Sequence, residues 1–146
     1  MLFHCECVLL LLVDMSRFKS DGAAGLSATI FVVDDEQMLL DLAEMILEQA
    51  GFKVFLFHDP KKALNAYAAA KPAPDVLVTD YAMAKMSGMD LIRECKRLNP
   101  RQKTILLSGT VDESVYADSP IKPDYLMAKP YHIHKLVEMI HSLIAS

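Results

Sequence analysis

Five polar residues close apolar runs along this chain. Asp34 and Asp35 end TIFVVDD, Asp80 ends DVLVTD, Ser108 ends the run TILLS, and Lys129 follows DYLMA. Three carboxylates brought together concentrate negative charge that a hard divalent cation relieves, and their oxygens are the ligands such a cation takes. A carboxylate beside that cation can also attack phosphorus and form an acyl phosphate. The Lys129 ammonium would neutralise incoming phosphoryl oxygens, and the Ser108 hydroxyl would hydrogen-bond them. Each residue also has a plainer reading. One aspartate of the pair could cap the following helix, which explains the adjacent second one less well. Asp80 alone is a common strand-to-loop residue. The Lys129–Pro130 step could use a cis peptide to aim the lysine inward, or be a trans turn that merely ends the strand. The ordered set is what points to a site.

A site of this kind needs strands that deliver those residues to one edge. From Thr29 the pattern alternates strand and helix, and buried parallel strands read as β-branched and aromatic runs. TIFVV, KVFLF, DVLVT, KTILLS and DYLMA are the five strand candidates. After the first, Met38, Leu39, Leu42, Met45, Ile46 and Gln49 recur at helical spacing, with Gly51 as the stop. His58–Asp59–Pro60 opens a second helix through Ala63, Leu64, Tyr67 and Ala68, ended by Pro72 and Pro74. Gly88–Leu98 forms a third helix, stopped by Asn99–Pro100, and a weak fourth lies around Asp112–Ala117. Ile133–Ile144 is the last, with Leu136, Val137, Ile140 and Leu143 inward. The reading is α/β, a (βα)5 unit with short right-handed crossovers, and such sheets bind at the carboxyl ends of their strands. Strand order is not legible at this level.

Composition narrows the classes. The 146 residues suit one domain, and 53% apolar with 23% charged residues excludes a disordered chain. A net charge of -4 without a basic block leaves no nucleic-acid footprint. The three cysteines, Cys5, Cys7 and Cys95, form no disulfide framework, and the Cys5–Cys7 pair beside His4 has no second ligand pair. A reducing, cytoplasmic setting fits. The apolar run Val8–Val13 is far shorter than the roughly twenty residues of a membrane span. It also lacks the basic lead of a signal peptide. Residues 1–28 therefore read as a flexible appendage and 29–146 as the domain. The methionines at helical spacing, Met38, Met45 and Met139, read as core filler, and Cys95 as a small packed residue. His58, His132, His134 and His141 read as surface groups.

The order Asp34–Asp35, Asp80, Ser108, Lys129–Pro130 resembles the receiver domain of two-component response regulators, in its single-domain, chemotaxis-regulator-like form. VVDDE, DYAMAKMSGMDLI, LLSG and AKPY carry the resemblance, with Met83 and Gly88 in the family's usual places. It implies a flavodoxin-like, five-stranded parallel sheet with helices on both faces. Asp80 would then accept phosphate from a histidine kinase or phosphotransfer protein. Asp35, Asp80 and the backbone carbonyl of Ala82 would hold Mg²⁺ directly (Mn²⁺ can substitute), with Asp34 acting through water. Lys129 would contact the phosphoryl group, and Ser108 would move toward it. That movement would bias the face of the fourth helix, fifth strand and fifth helix toward a downstream partner. The implied molecule is a signalling switch, not an enzyme, assisting only its own phosphorylation and dephosphorylation.

Three departures from the family pattern stand out. Ala84 replaces the proline that usually follows the loop methionine. Leu126 holds the place of the switch aromatic, with Tyr125 one step away and on the opposite side by strand alternation. A bulge would restore Tyr125; without one the aromatic part of the switch is missing. The glycine usual before the fifth strand is absent. Two other functions compete. A receiver-like module could bind a partner without phosphorylation, or a Mg²⁺-dependent phosphatase could use an aspartyl-phosphate intermediate. The second usually needs an acid two residues past the nucleophile, where this chain has Ala82.

Overall fold

A computed structural model describes residues 27–109, 114 and 116–146. Its elements are β1 (Thr29–Val33), α1 (Gln37–Gln49), β2 (Lys53–Phe57), α2 (Pro60–Ala69), β3 (Val76–Asp80), α3 (Gly88–Leu98), β4 (Lys103–Ser108), β5 (Tyr125–Ala128) and α4 (Ile133–Ala145). The strands form one parallel sheet in the order β2-β1-β3-β4-β5. The fold is flavodoxin-like.

Alternation along the strands divides the core in two. Ile30, Val32, Val76, Val78, Ile105, Leu107 and Met127 point to one face, where α1 and α4 cover them. Phe31, Val33, Leu77 and Leu106 point to the other, under α2 and α3. β3 is buried along its whole length because both faces are covered. β2 and β5, at the sheet edges, are only partly buried.

The helix ends follow local chemistry. Gly51 takes φ +92°, a left-handed conformation suited to glycine, and ends α1. Asp59 caps α2, its carboxylate accepting the Lys61 amide, with Pro60 in the first turn. A reciprocal capping box between Ser87 and Asp90 starts α3. Peptide bonds Lys71–Pro72 and Lys129–Pro130 are cis.

One expectation changes. The buried stripe of α1 is Leu40, Ala43, Ile46 and Leu47, whereas Met38 is 55% and Met45 40% exposed. Those methionines are surface residues, because the inward arc is centred on Leu40, Ala43 and Leu47. Met139, by contrast, packs against the core. The fourth helix expected around Asp112–Ala117 falls largely outside the described residues, and Tyr116–Asp118 form a turn in which Ser119 N donates to Tyr116 O. Residues 1–26, with Cys5, Cys7 and the Val8–Val13 run, also lie outside the described residues.

Candidate functional site

Three neighbouring strands and their outer partner end in step, and this register assembles the site. Val33 pairs with Thr79, Asp80 with Leu107, and Ser108 with Ala128. Asp34 and Asp35 therefore emerge beside Asp80, and Lys129 emerges beside Ser108. Backbone bonds continue past the strand ends. Asp34 N donates to Phe57 O (3.1 Å), Tyr81 N to Leu107 O (2.8 Å) and Lys129 N to Ser108 O (2.7 Å).

Asp34, Asp35 and Asp80 each offer an oxygen within 4.8 Å of the others. Asp34 and Asp80 are buried, and Asp35 is the more open. Asp34 does two jobs. One oxygen accepts the Glu36 amide at 3.0 Å, a turn just before α1 that leaves the helix without a side-chain cap, and the other accepts Lys129 Nζ at 3.3 Å. Lys129 Nζ also lies 3.1 Å from Asp80 Oδ1, so one ammonium bridges two carboxylates. Among the described residues no helix is long and apolar enough to cross a membrane.

The electrostatics follow from burial and that count. Burial raises the Asp80 pKa above its ordinary value; Lys129 opposes this, and Asp34 and then Asp35 reinforce it. Burial alone would lower the Lys129 pKa, but Asp34 and Asp80 outweigh it and the ammonium is held more firmly than in water. Tyr131 is pushed up first by burial, then by the negative charges of Asp34 and Asp80. Its ring packs against the α1–α4 core. No reading of the residues singled out Tyr131; its position directly after Lys129–Pro130 was the available signal.

The loop Tyr81–Ser87 connects the site to α3 and carries Ala82. Gly88 N donates to Tyr81 O at 2.9 Å, closing the loop. A Cβ at position 88 would collide with the Asp80 carbonyl and the Leu106 side chain, so only glycine permits this approach. Residues 30–141 match the family model for the response regulator receiver domain. This chain belongs to that family.

Its relatives agree. The probable transcriptional regulatory protein TcrX of Mycobacterium tuberculosis is 30% identical over 124 residues, covering 84% of this chain and 52% of TcrX. A response regulator receiver domain protein from Clostridium thermocellum has a crystal structure matching at TM-score 0.74 and 30% identity, over 81% of this chain and 94% of that one. The BeF3-activated DrrB receiver domain matches at TM-score 0.72 and 26% identity, over 83% and 100%. This chain spans about half the length of the curated relatives it matches.

Within this receiver domain, Asp34, Asp35, Asp80 and Lys129 form one cluster, and Ser108 is buried at the adjoining end of β4. Leu126 and Tyr125 are not interchangeable. β4 and β5 pair one to one from Ile105–Tyr125 to Ser108–Ala128, without a bulge. Leu126 packs against the α2–α3 core, and Tyr125 is exposed at the sheet edge. His58 shows no place in the carboxylate cluster. The ion pair between Lys85 and Asp59 (2.9 Å) had no sequence signal beyond Asp59 as a helix cap.

Proposed function

We propose that this chain is a Mg²⁺-dependent phosphorylation switch in which Asp80 accepts a phosphoryl group from a phosphohistidine on a histidine kinase or phosphotransfer protein. The observation that carries the reading is the buried Asp80 carboxylate, 3.1 Å from Lys129 Nζ within a three-carboxylate cluster. The donor set suits a hard divalent cation: three carboxylates face one ammonium, leaving excess negative charge on oxygen ligands. Asp35, Asp80 and the Ala82 carbonyl would hold Mg²⁺ or Mn²⁺, with Asp34 assisting. Bound there, the cation supplies charge neutralisation for phosphoryl oxygens.

The chain's own residues do the rest. An Asp80 oxygen forms the new P–O bond as the P–N bond to the donor imidazole breaks, and the imidazole keeps that electron pair. Lys129 shifts its charge from the two carboxylates to the phosphoryl oxygens, and the Ser108 hydroxyl donates to one of them. A BeF3-activated receiver among the similar structures supports this use of the pocket. The altered partnership of Lys129 and Ser108 then biases the surface of β5, α4 and the β4–β5 connection toward a downstream partner. We place this switch in the cytoplasm, acting on no external substrate. Ala82 offers no acid for phosphatase turnover.

The test is intact mass after incubation with acetyl phosphate and Mg²⁺. Wild type gains one phosphoryl group, and Asp80→Asn gains none; equal labelling of both sinks the proposal. The regular β4–β5 register with Leu126 facing the core favours one second reading, a partner-binding module indifferent to phosphorylation. Partner affinity unchanged by Asp80→Asn and by chelation would select it.

A further inference from the structure

The loop after Asp80 holds a shape that L-residues resist. Met86 N donates to Ala84 O at 2.8 Å across a three-residue turn, and Lys85 at the apex has φ +71°. Such a turn is rare and strained for a residue with a side chain. Neither a proline at Ala84 nor a glycine at Lys85 prepares the backbone for it. The restraint lies at the far end of the lysine. Its Nζ is 2.9 Å from Asp59 Oδ2, on the neighbouring β2–α2 turn. Asp59 is a fixed anchor, because Oδ1 accepts the Lys61 amide at 2.9 Å and caps α2. The loop is thus closed at its base by Gly88 N on Tyr81 O and tied at its apex by one ion pair.

We propose that the Lys85–Asp59 pair is a latch that sets the acceptor loop, making both side chains positioning residues for phosphoryl transfer to Asp80. This inference rests on the phospho-acceptor reading above. The latch acts through the loop backbone that carries Ala82, between Asp80 and Gly88. Asp59, held below the usual carboxylate range by Lys85 and then by the Lys61 amide, stays ionised at neutral pH. The Lys85 side chain is 60% exposed, so salt screens the pair and the effect is modest.

Two variants isolate the latch. Lys85→Gln removes the ammonium, and Asp59→Asn removes the charge while keeping a good helix cap. At low salt and saturating Mg²⁺, each is expected to slow phosphorylation by acetyl phosphate about threefold, with the double variant no slower than either. The ratio of wild-type to variant rate should fall toward one as NaCl approaches 1 M, which a purely structural defect would not produce. Limited proteolysis reads the latch without phosphorylation: trypsin should cut after Lys85 several-fold faster in Asp59→Asn than in wild type at low salt. Equal cleavage, or phosphorylation that proceeds at equal rates in wild type and variants, overturns the latch. A wild type that takes up no phosphoryl group, yet shows latch-dependent cleavage, overturns the phospho-acceptor reading instead.

Discussion

One ammonium faces two carboxylates in contact and a third nearby, and burial together with this imbalance sets the behaviour of Asp80. Its folded pKa lies above 3.8, chiefly through burial, so the folded chain keeps that proton to higher pH than the unfolded chain does. Ionised Asp80 therefore costs stability above its unfolded pKa, and the cost fades as pH falls through the folded value. Asp80→Asn should stabilise the metal-free protein at pH 7 by about 1 kcal/mol, raising Tm by a few degrees in EDTA. A lower Tm would mean that the Lys129 contact outweighs burial and repulsion. Gly88→Ala tests the close approach on the other side of Asp80. Its methyl group has no room beside the Asp80 carbonyl, so chemical denaturation should show a loss of about 2 kcal/mol or more. A near-neutral result would mean that the loop yields freely.

At the scale of elements, α3 depends on its first turn. Ser87 Oγ accepts the Asp90 amide at 3.1 Å, and the Asp90 carboxylate answers the Ser87 amide. Ser87→Ala should cost about 1 kcal/mol in urea denaturation, and an unchanged midpoint would argue that the box is dispensable. The same helix buries Cys95, whose thiol is pushed up to about 12 by burial and then by the charge of Glu94. Peptide mapping should find Cys95 unalkylated by iodoacetamide at pH 8 until the fold is opened; rapid native labelling would contradict the packing. The elements were legible in the residues where apolar runs met clear punctuation: β1, β3 and β4 between polar ends, α2 after Asp59–Pro60, α3 before Asn99–Pro100. The α1 stripe was less so. Met38 and Met45 share the helical spacing of a buried face, but the arc centred on Leu40, Ala43 and Leu47 meets the sheet. The Lys85 turn was not legible at all, since nothing in the residues Ala84–Met86 marks a left-handed apex and the Asp59 partner of Lys85 is distant in sequence.

At the scale of the whole molecule, the sheet sets the carboxylate cluster and the outer strand β5 side by side. Asp80 and Ser108 end adjacent central strands, and Ser108 pairs with Ala128 on the outer strand that presents Tyr125. The strand-end cluster was readable from residue order, because each polar group closes an apolar run; the strand order that sets those ends side by side was not. A cation that binds only the folded site must stabilise the fold by mass action. Mg²⁺ at 100 times its Kd should contribute about 2.7 kcal/mol to unfolding, and Asp35→Asn should blunt the shift. Equal Tm in Mg²⁺ and EDTA would contradict the cluster as a cation site. The most direct test of the central claim locates the phosphoryl group itself. After incubation with acetyl phosphate and Mg²⁺, borohydride reduces an aspartyl phosphate to homoserine, which peptide sequencing by mass spectrometry can place. Homoserine at position 80, dependent on Mg²⁺, is the expected result; homoserine at another aspartate, or none in a chain that is folded and Mg²⁺-loaded, would contradict it.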